Sequence, residues 1–307
     1  MKHKILLVGG NGFIGSHLAD RLLRETYSLR ILDQRPELFR KPLAGVEYQL
    51  GNFSDPATLK EAVRGCEVLV HLAHSTVPAS SLRHPEREVM DSVSAFVNMI
   101  NCLKELPVRK IVLFSTGGAM YGNTEVIQIN EDVTPNPISP YGVAKLTMEK
   151  YLSMFSYLYG LEFLIVRPSN PFGARQNFRG QQGAIPIFMH RVMNGKPIHV
   201  WGDGSAVKDY FYVTDLAEAV VGLMNKGLDN VVYNIGSGLG VSVNELISRI
   251  ERVCGTKATV QYVESRPYDV QRVILSSEKI HARTGWTPGT SLEKGIELTH
   301  EWLRSVR

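Results

Sequence analysis

Tyr141 and Lys145 are the residues whose types and spacing point most directly to acid–base chemistry. They follow Pro140 at the start of a helical pattern, and residues four apart lie on one face of a helix. A tyrosine with its ordinary pKa of about 10 becomes a base near neutrality only when positive charge stabilises the phenolate. The Lys145 ammonium can supply such a charge, so the pair predicts a base that removes a proton from a substrate hydroxyl.

A glycine-rich turn near the start of the chain predicts where a cofactor binds. Gly9, Gly12 and Gly15 follow an apolar run and open a helical pattern, so the backbone can approach a pyrophosphate at the positive end of a helix. Asp33 ends the second apolar run, where a carboxylate accepts both ribose hydroxyls and repels a 2′-phosphate. A surface aspartate in a turn is the plainer interpretation of Asp33, and the glycines disfavour it. The pattern predicts NAD rather than NADP.

The apolar runs around these residues predict the elements that position them. Strands are expected at 5–8, 29–32, 47–50, 68–71, 110–114 and 162–167, and at 231–235. Helices are expected at 16–24, 56–64, 94–105, 143–159, 185–194, 215–224 and 292–304. This alternation predicts an α/β fold, a doubly wound Rossmann sheet with a smaller α/β domain. We expect the Rossmann domain at 1–170 plus 209–240, and the smaller domain at 171–208 plus 241–307.

Composition excludes several classes of function. The net charge of +4 comes from scattered residues, without the basic stripe that binds nucleic acid. Three separated cysteines predict neither a disulfide framework nor a zinc site, and His71 and His74 have no third ligand, so no metal is expected. No apolar run reaches the roughly 18 residues of a membrane span, and the N-terminal run is too short for a signal peptide. We expect a cytoplasmic protein.

The residues above belong to a longer set of motifs spread over essentially the whole chain. The set resembles the extended short-chain dehydrogenase/reductase family, and within it the nucleotide-sugar 4-epimerases typified by UDP-galactose 4-epimerase. The matching motifs are Gly9-x-x-Gly12-x-x-Gly15, Asp33, Gly51-Asn52-Phe53, His71-Leu72-Ala73, Ser115-Thr116-Gly117-Gly118-Ala119-Met120-Tyr121-Gly122, Tyr141-x-x-x-Lys145, Arg167-Pro168-Ser169-Asn170-Pro171-Phe172-Gly173, Trp201-Gly202-Asp203-Gly204, Asp209-Tyr210 and Arg266-Pro267-Tyr268-Asp269. Together they are far more specific than any one of them.

The resemblance implies two sets of binding residues. The cofactor set for NAD is Gly9, Gly12, Phe13, Ile14, Gly15, Asp33, Gln34, Asn52, Phe53, Leu72, Ala73, His74, Ser92, Ser115, Tyr141, Lys145 and Pro168. The set for a UDP-sugar substrate in the smaller domain is Thr116, Tyr141, Asn170, Val200, Trp201, Lys208, Arg266 and Asp269. Of these, Asn52 and Phe53 would contact adenine, Val200 and Trp201 the nucleobase, and Arg266 the diphosphate.

Four positions depart from the family pattern. Gly117 stands where the family usually has a catalytic serine or threonine, so Thr116, Tyr141 and Lys145 form the expected catalytic set. Asn52 replaces a frequent aspartate, Thr76 a frequent lysine near the pyrophosphate, and Lys208 a frequent arginine, which keeps the charge but loses its bidentate geometry.

The activity that the resemblance implies is reversible 4-epimerisation of a UDP-hexose through a 4-keto sugar, with NAD held throughout. Val273, at a position that limits space beside the sugar, also leaves room for a 2-N-acetyl group. A 4-keto reductase, a dehydratase and a non-catalytic dinucleotide sensor remain as alternatives, and Gly117-Gly118 disfavours the dehydratase because that class carries two carboxylates there. The resemblance further implies a homodimer that pairs the apolar faces of 89–103 and 146–158.

Overall fold

Strands and helices alternate through the first half of the chain, as predicted. The computed structural model describes residues 3–25, 27–74, 76, 78–180, 182–266 and 268–306. Its first elements are β1 (Lys4–Val8), α1 (Phe13–Leu23), β2 (Ser28–Asp33), β3 (Val46–Leu50), α2 (Pro56–Ala62), β4 (Val68–His71), α3 (Pro78–Ser81), α4 (Pro85–Arg87), a π-helical segment (Glu88–Val93), α5 (Ser94–Leu103), β5 (Lys110–Phe114), α6 (Pro140–Tyr159) and β6 (Glu162–Pro168).

Shorter elements make up most of the second half. They are β7 (Asn170–Phe172), α7 (Ala184–Met193), β8 (Ile198–Trp201), β9 (Val207–Tyr212), α8 (Val213–Asn225), β10 (Val231–Ile235), β11 (Gly240–Ser242), α9 (Val243–Cys254), β12 (Val260–Val263), β13 (Arg272–Val273), α10 (Glu278–Thr284) and α11 (Leu292–Ser305). Among the described helices, none is long and apolar enough to cross a membrane.

The main sheet has seven strands in the order β10-β6-β5-β4-β1-β2-β3. The pairs from β3 to β6 are all parallel, and their order is that of a Rossmann sheet, which confirms the predicted fold class. Apolar side chains of α2, α5 and α6 share one core with those of β1, β4, β5 and β6. Helices packed on the strands in this way explain why β1, β4 and β5 read as continuous apolar runs.

The parallel order has a direct consequence for the predicted site. The carboxyl ends of parallel neighbours lie at the same edge of a sheet, and this is where ligands bind in doubly wound folds. Gly9 follows β1, His74 follows β4, and Ser115 follows β5. The sheet therefore gathers segments that are widely separated in the sequence.

The chain divides into two compact units. One comprises Met1–Thr116, Ser139–Arg167 and Ala217–Tyr233, and the other comprises Gly117–Ile138, Pro168–Leu216 and Asn234–Arg307. These units interleave more finely than the domain boundaries expected from the sequence. Residues 117–138 belong to the second unit because Ile129 exchanges backbone hydrogen bonds with Ile274 and Ser276.

The second unit contains two small sheets of its own. In one, β9 pairs with β7 and β13 in parallel and with β11 antiparallel. In the other, β8 pairs with β12 in parallel. The apolar sides of these strands and of α7, α9 and α11 form a separate core. This unit is therefore stabilised by its own hydrophobic contacts.

Helix α6 carries the predicted catalytic pair, and its ends are well defined. The Ser139 hydroxyl accepts a hydrogen bond from the Gly142 amide, and Pro140 occupies the first turn, where a missing N–H costs nothing. Gly160 ends the helix in the left-handed conformation at φ 68°. Between these caps the helix buries Ala144, Lys145, Met148, Glu149, Leu152 and Phe155. A charged pair on the buried side of a helix needs partners, which the site supplies.

Candidate active site

The glycine-rich turn forms a cradle in which side chains have no room. Gly9 has φ +82°, and a Cβ atom there would lie 2.8 Å from the Ala73 amide nitrogen. A Cβ atom on Gly15 would lie 2.7 Å from the Gly9 carbonyl oxygen. Gly12 starts α1 without a side-chain cap, and the first turn of α1 contains no acidic residue. The amides at this helix start are therefore suited to the pyrophosphate of NAD, and the cradle fits that group.

Asp33 lies at the end of β2, as the sequence pattern predicts. One carboxylate oxygen accepts a hydrogen bond from the Asn11 amide at 3.1 Å and the other from the Arg35 amide at 3.1 Å. Asn11 in turn donates its side-chain amide to the Arg35 carbonyl. The carboxylate is fixed between the glycine turn and the next loop, and its remaining lone pairs are suited to the hydroxyls of a ribose.

The other cofactor residues implied by the resemblance lie in different settings. Asn52 is exposed and accepts from the Ser54 amide, and Phe53 packs its ring against His71. Phe13, Ile14, Leu72, Ala73 and Tyr141 are half-buried, Gln34 is exposed, and Ser92, Ser115 and Pro168 are buried. Pro267 of the last motif lies outside the described residues. The cofactor role of each of these positions stays a prediction.

Tyr141 lies against three side chains of the first unit. Its hydroxyl is hydrogen-bonded to Thr116, its ring meets the His74 ring edge-on at 4.8 Å, and the Lys145 ammonium is 5.9 Å from its ring centre. Its backbone amide donates to the Ser81 hydroxyl. Thr116 is thus at hydrogen-bonding distance from the predicted base, although Gly117 occupies the position where the family usually carries its hydroxyl.

Burial sets the charge state of the predicted base. Removal from water and then the negative charge of Glu88 raise the pKa of Tyr141 to about 12, while the hydrogen bond with Thr116 acts in the opposite direction. The sequence predicts a phenolate favoured by Lys145 and by a positively charged nicotinamide. The protein's own groups therefore keep the Tyr141 hydroxyl protonated near neutrality.

Lys145 is almost completely buried and is anchored by the end of β5. Its ammonium donates to the Phe114 carbonyl at 2.8 Å. Burial lowers the pKa of Lys145 to about 8, although the carboxylates of Glu88 and Glu149 raise it. Because part of the lysine population is neutral near pH 8, the positive charge of this site depends on those two carboxylates.

A buried ion pair lies one helical turn beyond Lys145. Glu149 accepts two hydrogen bonds from the Arg167 guanidinium, at 3.0 and 2.6 Å, and one from the Ser115 hydroxyl at 2.5 Å. These contacts join α6 to β5 and β6. Sequence reasoning missed Glu149 as a site residue, although Tyr141, Lys145 and Glu149 recur every four residues and that spacing could have identified it.

Glu88 is a second residue that sequence reasoning missed. It begins the π-helical segment and is buried, with hydrogen bonds from His74 at 3.1 Å and from Thr76 and Ser92. Burial alone would raise the pKa of Glu88, but these hydrogen bonds lower it, so the carboxylate stays charged. His74 and Ser92, which the resemblance assigns to the cofactor, therefore also share a carboxylate.

The predicted substrate residues of the second unit include an aromatic and cationic group. The Arg266 guanidinium lies 4.0 Å from the ring centre of Trp201 and 5.6 Å from that of Tyr268, and it pairs with Asp269 at 3.2 Å. Trp201 is about half exposed at 47%. A guanidinium stacked on an exposed indole offers a planar surface for a nucleobase and positive charge for a diphosphate.

Lys208 is buried beside this group in the second unit. Its ammonium donates to the Val270 carbonyl, and burial lowers the pKa of Lys208 to about 8, while the charge of Asp269 raises it. The position that usually carries an arginine therefore holds a cation that titrates near neutrality. An arginine would remain charged there.

The remaining substrate residues are placed by strand alternation. Val200 and Trp201 are neighbours on β8, so Val200 points into the core while Trp201 points outward. The role of Val200 beside a nucleobase stays a prediction. Asn170 donates its amide to the Asp209 carbonyl at 3.0 Å, and Val273 is buried in β13.

Comparisons with known proteins give a family match and similar solved structures. A model of the NAD-dependent epimerase/dehydratase family matches residues 5–236. A putative UDP-glucose 4-epimerase of Methanocaldococcus jannaschii is 33% identical over 304 residues, which cover 98% of each chain. The structure of a UDP-glucose 4-epimerase of Thermotoga maritima with UDP-glucose has 35% identity and a TM-score of 0.93, and covers 99% of each chain. That of the Thermus thermophilus enzyme with NAD has 32% identity and a TM-score of 0.92, and covers 99% of this chain and 100% of the other.

Replacing Gly9 by alanine tests the cradle. We expect Gly9→Ala to reduce bound NAD at least about tenfold, because the new Cβ meets the Ala73 backbone and displaces the turn. The measurement is NAD released per chain after denaturing the purified protein. Gly45→Ala is the matched control, since Gly45 has φ +77° but nothing within 4 Å of its Cβ position. A Gly9→Ala protein with a full complement of NAD contradicts the assignment.

The lowered pKa of Lys208 predicts a pH dependence of sugar-nucleotide binding. We expect a diphosphate to bind the protonated lysine, so that affinity for UDP-glucose is constant below about pH 8 and falls as pH rises through that value, by up to about tenfold per unit. Titration calorimetry across this range measures the effect. Lys208→Arg stays charged and should remove the fall. A flat profile in the parent protein, or the same fall in the variant, refutes the role of Lys208.

Proposed function

The chain belongs to the NAD-dependent epimerase/dehydratase family, and on that premise we propose that it catalyses the reversible 4-epimerisation of a UDP-hexose. The predicted family, its enzyme class and NAD as the cofactor are confirmed by the family match and by relatives that cover almost the whole chain. The choice of sugar and the role of each residue are our proposal. The observation that carries it is the Tyr141 hydroxyl hydrogen-bonded to Thr116, with Lys145 one turn along α6.

In this proposal Tyr141 accepts the proton of the sugar O4 hydroxyl and later returns it. Thr116 orients the phenol oxygen and shares its proton, and Lys145 supplies nearby positive charge. The glycine cradle of Gly9, Gly12 and Gly15, together with Asp33, would hold NAD, which would supply a reversible hydride acceptor for the sugar C4. The chain then needs no external reductant, because the reaction has no net redox change.

The second unit supplies residues suited to the sugar nucleotide. Trp201 offers an exposed indole on which the nucleobase can stack, and Arg266 and Lys208 offer positive charge for the diphosphate. Val273 is small, which leaves room for a 2-N-acetyl group, so we include N-acetylhexoses in the proposed substrate class. The presence of Tyr141, Thr116 and Lys145 disfavours a non-catalytic sensor. A 4-keto reductase would differ from an epimerase by consuming NAD(P)H stoichiometrically.

Tyr141→Phe is the direct test of the proposed base. The variant keeps the ring that packs on His74 but cannot accept the O4 proton, so we expect kcat to fall about 10² to 10⁴-fold with KM changed little. Incubation of the parent protein with UDP-glucose, UDP-N-acetylglucosamine and UDP-glucuronic acid, with products resolved by NMR, identifies the sugar. An undiminished rate in Tyr141→Phe, or stoichiometric consumption of NADH by the parent, overturns the proposal.

We also propose that the protein is a homodimer, through an apolar face of the first unit. Val143, Tyr151, Met154 and Leu158 recur every three to eight residues on one side of α6, and each is 37–55% exposed. Val89 and Met90 of the π-helical segment, which packs against α6, are 62% and 68% exposed. Apolar side chains exposed together on one side of a helix are typical of a protein interface.

The expected dimer is measured by sedimentation at micromolar concentration. Met154→Lys should shift the protein toward monomer, because it places a charge in the middle of the apolar face that the dimer would bury. Leu239→Lys is the control, since Leu239 is 70% exposed but lies in the second unit. A monomeric parent protein, or dissociation by Leu239→Lys alone, contradicts the assignment of this face.

A further inference from the structure

Glu88 is a buried carboxylate that the proposed reaction does not use. It is 1% exposed, and it accepts hydrogen bonds from His74, Thr76 and Ser92. A charged carboxylate taken out of water is costly unless several donors compensate it, and three side chains do so here. Such a group requires an explanation, because an apolar residue would fill the same space at less cost.

The hydrogen bond to Glu88 fixes the tautomer of His74. A carboxylate only accepts, so the bonded Nε2 atom of His74 carries the proton, and Nδ1 is left as a bare acceptor. Nδ1 is buried and has no hydrogen-bond partner among the described residues. Burial, followed by the charge of Lys145, lowers the pKa of His74 to about 4, so the imidazole stays neutral. The ring is held in one orientation and one protonation state.

That ring lies directly on the base. The planes of the His74 and Tyr141 rings meet at 86°, and the ring centres are 4.8 Å apart. The hydroxyl of the same Tyr141 is hydrogen-bonded to Thr116. The titratable and charged groups of the described residues around Tyr141 are His74 after β4, Glu88 in the π-helical segment and Lys145 on α6. Glu149 raises the pKa of Lys145, and burial with the charges of Lys145 and His74 lowers the pKa of His71.

We propose that Glu88, acting through His74, is a positioning residue for Tyr141. The carboxylate fixes the imidazole, the imidazole fixes the phenol ring, and the negative charge keeps the phenol protonated until positive charge arrives with the cofactor. Ionisation of the base is then linked to a loaded site. That Tyr141 acts as a base rests on the proposed function, but the effect of Glu88 on the ionisation of Tyr141 is independent of any substrate.

A carboxylate that orients a histidine is a familiar arrangement in enzymes, where the carboxylate sets the tautomer and the histidine acts on the reacting group. Here the histidine acts on a tyrosine instead. Thr76 takes part because its hydroxyl also donates to Glu88, which accounts for a threonine at a position where the resemblance leads one to expect a lysine. A lysine there would neutralise Glu88 and remove its effect on Tyr141.

Ultraviolet titration of tyrosinate in the protein with its bound NAD tests the proposal, with Tyr141→Phe subtracted to isolate Tyr141. Glu88→Gln keeps the shape and removes the charge, so we expect Tyr141 to ionise about one pH unit lower than in the parent. Glu88→Asp should titrate like the parent. Glu86→Gln is the matched control, because Glu86 lies two residues away in α4 and is exposed. No shift in Glu88→Gln, or an equal shift in Glu86→Gln, overturns the proposal.

Two further measurements keep the test decisive if Glu88→Gln folds poorly. Nitrogen-15 NMR of the parent, with His74 assigned by comparison with His74→Gln, should show a proton on Nε2 and none on Nδ1. The opposite tautomer overturns the proposal. His74→Gln should lower kcat about tenfold or more with KM within about threefold, since it loosens the phenol without removing it. If no substrate is epimerised while the titration shift is present, the proposed function fails and this inference stands.

Discussion

The site depends on one constraint, which is that the carboxyl ends of parallel strands lie together at one edge of a sheet. Gly9, His74 and Thr116 are far apart in the sequence, yet each closely follows one of the neighbouring strands β1, β4 and β5. The order of the strands therefore brings together residues that are far apart in the sequence. The glycine cradle shows how tight this edge is, because a single methyl group on Gly9 would meet the backbone that leaves β4. Any change in strand register would separate the cofactor cradle from the phenol that has to act beside it.

Helix α6 adds a second constraint, since it buries charge. Lys145 and Glu149 lie on its covered side, where each needs a partner: the Phe114 carbonyl for the ammonium, and Arg167 with Ser115 for the carboxylate. The partners come from β5 and β6, so the charges fix the helix to the sheet at the same place where chemistry is expected. Burial also decides the direction of the electrostatics. It raises the pKa of Tyr141 and lowers that of Lys145, so the surroundings of the two residues disfavour a phenolate beside a charged ammonium.

Much of this could be predicted from the sequence because periodic apolar patterns are local. Strands β4 and β5 and helix α11 lie within one residue of their expected bounds, and the glycine turn, Asp33 and the Tyr141–Lys145 pair are where the patterns placed them. The prediction was weaker where neighbours in space are distant in sequence. Val200 and Trp201 are adjacent in the chain, but the alternation of β8 sends one into the core and the other outward. The segment 117–138 joins the second unit through Ile129, although the sequence around it suggested the first.

The sequence by itself determined the fold class, the glycine-rich turn and the Tyr141–Lys145 pair, because each is encoded by residue types at short, regular spacing. Only the tertiary structure decided how that base is charged. The neighbours of Tyr141 are Thr116, His74 and, behind the histidine, Glu88, and they come from three different segments. A pKa depends on burial and on charges within a few ångströms, and neither quantity is a property of spacing along the chain. Hence the sequence could predict Tyr141 as a candidate base, but only the residues around it show that its pKa is raised.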